Sequence, residues 1–352
     1  FYVDLLDTYG RVINTVRAHL HRLHPTNQQF IMLTVAAFYK FAKLAPELIE
    51  TQRQPLLTIC NENEVKGIVL LATEGVNGTI CCENKQGVEA VLTAIMRLLF
   101  PDQNSQTDIF DHKFSHSSEM PFRRMKVHIK KEICTMGVPD MDPTKDVGVY
   151  VKPDKWNELI TSDDVALIDT RNDYEVAIGS FANAIDPNTK YFAEFPDWLT
   201  DYKQRQPEKK KLAMYCTGGI RCEKATAFAK SIGFEEVYHL QGGILKYLEE
   251  IPEDKSTWRG DCYVFDDRVS VKHGLELGEY DKCRACARPV AEEDKQSDLY
   301  VEGVSCPGCK HEFTDEQRTK FAQRQQQYER EQQTPTGFGQ PWVKPEKKGD
   351  PN

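Results

Sequence analysis

Nowhere in the 352 residues is there an uninterrupted apolar run of the roughly 18 residues that a membrane-spanning helix needs. The longest candidates, Ile31 to Phe38 and Gly67 to Ala72, suit buried strands. An excess of positive charge is also lacking, with 45 Lys and Arg against 54 Asp and Glu and a formal net charge of −9. That excludes a protein that coats nucleic acid by bulk charge and leaves room for a local basic patch. Cysteine, at eleven residues, is too sparse and odd in number for a disulfide scaffold. Disorder of the whole chain is excluded too, because 40% of the residues are hydrophobic and 28% charged, an ordinary balance. Phe1 to His24 mixes acids and histidines with its apolar residues, which is not a signal-peptide pattern. A reducing, cytoplasmic compartment is the expectation.

The length exceeds one typical domain, so two or three units are expected. Over residues 1–30, Leu5, Tyr9, Val12, Val16, Leu20 and Leu23 recur at helical steps, and Pro25 ends the pattern. This predicts a helical extension packed on the next domain. Residues 31–132 have a β-α-β-β-α-β rhythm, the order of a ferredoxin-like (acylphosphatase-like) α+β domain. Its strands are Met32–Phe41, Gly67–Thr73 and Gly78–Glu83, with Glu74-Gly75-Val76-Asn77 as a turn, and its last strand is the basic run Phe122 to Lys131. Pro46–Glu62 reads as a helix, and Val88, Val91, Leu92, Ile95, Met96 and Leu99 stripe a second. Residues 133–150, punctuated by proline and glycine, read as a linker. In residues 151–252 the short apolar runs Val165–Asp169, Lys211–Tyr215 and Glu236–Leu240 alternate with helical patterns, which predicts a parallel α/β sheet. Residues 253–333 are polar and cysteine-bearing and end in a glutamine-rich helix without an apolar face, and 334–352 reads as a disordered tail.

Chemistry concentrates at Tyr215-Cys216-Thr217-Gly218-Gly219-Ile220-Arg221-Cys222. A buried strand delivers Cys216 to the C-terminal edge of the sheet, where open α/β proteins place their sites. Two glycines permit a tight loop whose amides converge on the sulfur, and a helix starts immediately after, its positive end towards Cys216. Arg221 adds a full charge. Together these lower the thiol pKa and make a thiolate available. Cys222, in the first helical turn, is either a resolving thiol or a small packed residue. Arg171, Arg221 and Lys224 are the cations expected near this loop.

Cys216 to Arg221 resembles a rhodanese active-site loop, whose six-residue cradle (here Cys216, Thr217, Gly218, Gly219, Ile220 and Arg221) holds a persulfide on the cysteine. Asp169-Thr170-Arg171-Asn172-Asp173-Tyr174-Glu175, then Gly179, Phe181, Ala182, Ala184 and Ile185, and Gln241-Gly242-Gly243-Ile244 are similar to further rhodanese segments. They make Asp169 and Arg171 site candidates. Tyrosine phosphatases use a cradle one residue longer, which disfavours phosphate ester hydrolysis here. The run Tyr215 to Ala225, with Glu74-Gly75-Val76-Asn77-Gly78, Arg124-Met125-Lys126-Val127 and Val264-Phe265-Asp266-Asp267-Arg268, resembles one rhodanese-containing family, the oxygen-dependent tRNA uridine hydroxylases. The resemblance covers roughly residues 31–315. It implies an acylphosphatase-like domain, a rhodanese domain and a cysteine-containing segment. It also implies hydroxylation of C5 of wobble uridine in tRNA, with molecular oxygen as co-substrate and Cys216, by way of a persulfide, as the reacting residue.

Cys283-x-x-Cys286 and Cys306-x-x-Cys309, nineteen residues apart, have the spacing of a structural zinc site closed by four thiolates. For RNA, Arg123, Arg124, Lys126, His128, Lys130 and Lys131 crowd one strand, and Lys126, His128 and Lys130 share a face by alternation. Asn77 could contact a base, and Tyr39 or Phe122 could stack one from an anticodon loop. Two other readings stay open: a thiosulfate or persulfide sulfurtransferase, and a non-enzymatic RNA- or protein-binding adaptor.

Overall fold

A computed structural model describes residues 32–101, 110–139, 141–208 and 211–333. The expected helix over 1–30 and the tail from 334 lie outside the described residues.

Leu33–Phe41 (β1), rich in aromatic and β-branched side chains, is an interior strand of a five-stranded sheet. Pro46–Glu62 (α1) follows, with proline in its first turn, where a missing amide costs nothing. Lys66–Ala72 (β2) and Gly75–Cys82 (β3) then form a hairpin in which Ala72 pairs with Gly75, so only Thr73 and Glu74 make the turn. This is tighter than the sequence suggested. Gly75 permits it: its φ is 140°, and a Cβ there would fall 2.0 Å from the Lys40 carbonyl oxygen. Lys85–Leu99 (α2) is capped by the Asn84 side chain, which accepts from the Gly87 amide at 2.7 Å. Its stripe of Val88, Val91, Leu92, Ile95 and Leu99 is buried against the sheet, as its spacing predicts.

The fourth strand of this unit is not the basic run. Asp111–Ser117 (β4) takes that place beside β1, and Met125–Ile129 (β5) is an addition at the opposite edge, parallel to β2. The order is β4-β1-β3-β2-β5. Asp-His-Lys-Phe-Ser-His-Ser carries one apolar residue, so it gives no strand signal. Yet Lys113 and Ser117 are buried, because later parts of the chain cover them.

The second sheet follows from Val149–Val151 (β6), Pro153–Ile160 (α3), Val165–Asp169 (β7), the one-turn helix Asp173–Val176 (α4), Gly179–Phe181 (β8), Phe195–Arg205 (α5), Lys211–Tyr215 (β9), Ile220–Ser231 (α6), Glu236–Leu240 (β10) and Gly243–Glu250 (α7). Strands β6-β10-β9-β7 lie side by side and all run parallel. Ile168, Leu212, Ala213 and Met214 are fully buried, the pattern of strands covered on both faces. The short β8 pairs instead with Trp258–Gly260 (β11).

Helix α6 has no solvent face over its first two turns: Arg221 to Ala227 are all buried. One side faces the parallel sheet. The other is covered by the first unit and by the stretch read as a linker, where Ile133 and Met136 are themselves buried. The Ile133 amide donates to Glu74 at 2.6 Å, and the Met136 amide donates to Glu132 at 3.0 Å. Beyond β11, the hairpin of Cys262–Tyr263 (β12) and Ser270–Val271 (β13) leads to the paired cysteines and to Asp315–Gln333 (α8). Helix α8 docks without an apolar stripe. Phe321 packs edge-on against Phe313, and the Arg284 guanidinium lies 3.6 Å over the Tyr328 ring. No helix of the described residues is long and apolar enough to cross a membrane.

Candidate active site

Strand β9 ends at Tyr215, and the chain turns at once into the cradle. Gly219 makes the turn with φ 100°, and its amide donates to Cys216 Sγ at 3.1 Å. The loop is held from behind by the start of α7. The Ile244 and Leu245 amides donate to the carbonyls of Cys216 and Thr217, both at 3.0 Å. Gly243 makes that approach possible, since a Cβ there would lie 2.5 Å from the Cys216 carbonyl oxygen. The glycine pair in Gln241-Gly242-Gly243-Ile244 is therefore a clamp on the cysteine's backbone.

Cys216 is 1% exposed. Burial opposes its ionisation, but a hydrogen bond from Cys222, the charge of Arg221 and the amides of Cys222 and Arg221 outweigh it, drawing the thiol down to about 6. Cys222 goes the other way: burial and the neighbouring sulfur hold it protonated, with its Sγ 3.7 Å from Thr170 Oγ1. The pair therefore has one thiolate and one donor. Cys134, to which the sequence assigned nothing, packs in the same core, and burial pushes its thiol up to about 12.

Arg221 is anchored by a residue of the rhodanese-like string that its pattern alone does not single out. Glu175, fully buried, takes Arg221 Nη2 on both carboxylate oxygens at 2.8 and 3.0 Å, and Thr217 Oγ1 donates to it at 3.3 Å. Arg221 Nη1 is buried and has no hydrogen-bond partner in the protein. The signal for Glu175 was its place six residues after Asp169 in the rhodanese-like string.

Asp169 and Arg171 do not reach the cradle. They pair with each other at 2.6 and 2.9 Å, both fully buried, and Arg171 also donates to the carbonyls of Glu175 and Gly179 while lying over the Trp258 ring. This is a brace beneath the site. Arg171 is thus no surface cation, and neither is Lys224, which is 1% exposed and held by Glu74 at 2.8 Å and Glu132 at 2.6 Å. None of the three cations expected around the loop is exposed, since Arg221 is buried as well. Glu223, which precedes Lys224, accepts from the Tyr39 hydroxyl at 2.9 Å and the Tyr150 hydroxyl at 2.7 Å. These three line an open cleft of about 290 Å³ between the two sheets, with Lys40, Phe41 and Gln241.

The RNA candidates separate into two groups. Arg124, Lys126, His128 and Lys130 are exposed along β5 and its approach, and Arg53 of α1, missed in the sequence, joins them by donating to the Val127 carbonyl at 3.0 Å. Partial burial and the charges of Lys130, Lys126, Arg53 and Arg124 hold the His128 imidazole below its usual range. Others have partners within the protein, although Arg123 stays exposed. Asn77 donates to the Ile133 carbonyl at 3.0 Å, Arg123 lies over Tyr328, Tyr39 is 9% exposed, and Phe122 packs on a small core cluster.

Cys283, Cys286, Cys306 and Cys309 converge, all four sulfurs lying within 4.8 Å of one another, a group able to hold a metal ion. Three of the sulfur–sulfur distances are 3.9, 3.8 and 3.6 Å.

Residues 33–133 match the family described as UPF0176 acylphosphatase like domain, and residues 152–250 match the Rhodanese-like domain. A tRNA uridine(34) hydroxylase of Gluconobacter oxydans strain 621H is 53% identical over 301 residues, 85% of this chain and 93% of its own. Its namesakes in Brucella anthropi and Acaryochloris marina are 52% and 53% identical over 297 residues, 84% of this chain and 93% and 92% of theirs. The chain belongs to the tRNA uridine(34) hydroxylase family. The two matched regions meet at α6 of this hydroxylase-family chain, which supplies the cradle from one side and receives Glu74 and Tyr39 from the other.

Alkylation of Cys216 should follow its thiolate: slow below pH 6, rising through a midpoint near 6 and flat above it. Arg221→Ala should raise that midpoint by removing a cation, and Glu175→Gln should lower it by freeing the cation from its counter-charge. The measurement is iodoacetamide rate against pH with mass-spectrometric assignment. A wild-type midpoint at the ordinary thiol value of 8 to 9 would reject the electrostatic account.

Proposed function

We propose that this chain hydroxylates C5 of the uridine at position 34, the wobble position, of tRNA, with molecular oxygen as co-substrate and Cys216 as the reacting residue. One observation carries the reading. A six-residue cradle holds a cysteine with its thiol down to about 6, in a chain 53% identical over most of its length to a protein named tRNA uridine(34) hydroxylase.

The chain's own residues account for the activation of uracil. The Gly219 amide and Arg221 keep the Cys216 sulfur anionic before attack. That sulfur adds at C6: the S–C6 bond forms, and the C5–C6 π pair passes to the enolate at O4, which leaves C5 electron-rich. Once C5 carries oxygen, loss of its proton restores the C5–C6 double bond and expels the thiolate, while two electrons from an external reductant take the second oxygen atom to water. A persulfide on Cys216 would be held by the same amides and by the charge of Arg221. The sulfurtransferase alternative uses that persulfide too. Nucleoside mass spectrometry separates them: Cys216→Ser should abolish 5-hydroxyuridine in tRNA from complemented deletion cells. Unchanged hydroxylation, with loss of thiosulfate sulfurtransfer, would favour the alternative.

The substrate arrives as an anticodon loop, whose unpaired uridine leaves its stack at low cost. Arg53, Arg124, Lys126 and Lys130, with His128 among them, form the phosphate-binding face. Replacing Arg124, Lys126 and Lys130 by alanine should weaken tRNA binding and lower its salt dependence by up to about three phosphate contacts. An unaltered salt slope would move the RNA elsewhere.

The four-cysteine cluster holds zinc in a structural role. A tetrahedron with Zn–S bonds near 2.3 Å has sulfur–sulfur edges of about 3.8 Å, the spacing present here. Zinc in that position folds a segment too polar to build its own core. Elemental analysis should find about one zinc per chain, by the ligand count, and its absence would refute the assignment. A cytoplasmic location is supported by the tRNA substrate and by thiol chemistry that needs a reducing compartment.

A further inference from the structure

Phe265 stands out among the large apolar side chains of the described residues. It is 53% exposed, although both of its neighbours, Val264 and Asp266, are buried. An exposed phenylalanine in a mobile loop would need no explanation. This one is pinned. Asp266 and Arg268 form a two-pronged buried pair at 2.6 and 2.8 Å. Arg268 continues to Ser115 Oγ on β4 at 2.7 Å, and the Asp267 amide donates to the Pro121 carbonyl at 3.1 Å. The tight reversal is closed by Val269 with φ 65°, a left-handed conformation that strains a β-branched residue. Buried charge and backbone strain are spent on holding a short loop whose tip leaves an aromatic ring in solvent.

The ring is placed at the cradle. The Arg221 guanidinium lies 5.4 Å from the Phe265 centroid, Tyr263 meets Phe265 edge-on at 5.2 Å, and the Tyr263 carbonyl accepts from Thr217 Oγ1 at 3.4 Å. Beneath it sits Arg221 Nη1, buried, with no hydrogen-bond partner in the protein. A buried donor left unmatched is costly, and a charged one more so. An aromatic face beside an unmatched donor is complementary to one chemical object above others, a planar base that carries carbonyl oxygens.

We propose that Phe265 is the residue on which the target uracil stacks at the cradle, and that Arg221 Nη1 donates to a carbonyl oxygen of that base. The proposal rests on the hydroxylase reading for the identity of the base. It adds a binding site formed by the C-terminal hairpin, outside both matched family regions. Arg124, Lys126 and Lys130 would hold phosphates, while Phe265 would select an unstacked base.

The test uses the full chain and an RNA stem-loop with uridine at the wobble position, beside the same stem-loop made abasic there. Phe265→Ala and Phe265→Leu should each lose roughly 10- to 100-fold in kcat/KM, the range that base stacking on an aromatic ring is worth, and Phe265→Tyr should recover most of it. Both losing variants should bind the abasic loop as the wild type does and keep the Cys216 alkylation midpoint, which shows that fold and thiol are intact. Fluorescence of Phe265→Trp should be quenched by the uridine loop and not by the abasic one. If Phe265→Leu matches the wild type, or if quenching ignores the missing base, stacking is wrong. If the wild type fails to hydroxylate either RNA, yet Phe265→Leu loses its preference for the uridine loop over the abasic one, stacking stands and the hydroxylase reading fails.

Discussion

Helix α6 cannot be buried unless another part of the chain neutralises its polar side chains, and the rest of the architecture follows from that requirement. Lys224, in its second turn, is an ammonium with 1% of its surface exposed, held between carboxylates from the β2–β3 turn and from residue 132. Glu223, beside it, is matched by hydroxyls from β1 and β6. Breaking a buried pair by deleting one partner costs about 3–5 kcal/mol, which approaches the whole stability of many domains. The parallel-sheet unit therefore carries its partner's docking code within the helix that activates its cysteine. Positioning of the thiolate and joining of the two units are one construction.

The cradle works by imbalance. Burial of Cys216 by itself favours the neutral thiol, and Glu175 cancels part of Arg221's charge. What tips the balance is the number of donors aimed at one sulfur, the Gly219 amide and the first amides of α6, together with a neighbouring thiol that stays protonated. The thiol is drawn down although burial alone would push it up, so these donors favour the charged form by more than burial opposes it. The Asp169–Arg171 pair, equally buried, shows the opposite use of charge. It is closed on itself and braces strand ends without reaching the sulfur.

Two strings that carry the family resemblance are clasps. In Glu74-Gly75-Val76-Asn77, Glu74 takes Lys224 and the Ile133 amide, while Asn77 takes the Ile133 carbonyl. In Val264-Phe265-Asp266-Asp267-Arg268, the last residue ties the C-terminal hairpin to β4. Both strings unite distant parts of the chain around the cysteine loop. The zinc-type cluster, by contrast, is local, and α8 rests against that segment through Arg284 and Tyr328.

What the sequence determined by itself was whatever depends on neighbours in the chain. The strand–loop–helix around Cys216, the capped stripe of α2, the parallel-strand runs and the two cysteine pairs are patterns of a few residues with one backbone solution each, and they are where the sequence placed them. Tertiary structure decided which charged group meets which. Arg171 and Lys224 read as surface cations and are buried, Asn77 read as an RNA contact and donates to a carbonyl within the protein, and Arg53 joined the basic face from another element. It also decided that Asp111–Ser117, almost without apolar residues, is the fourth strand, and that Phe265 stands exposed at the cradle. The reason is physical. Periodicity records whether a position is wet or dry, whereas the partner of a buried charge is chosen by chain topology across 46 residues for Glu175 and Arg221 and 92 for Glu132 and Lys224, and no local pattern encodes that distance.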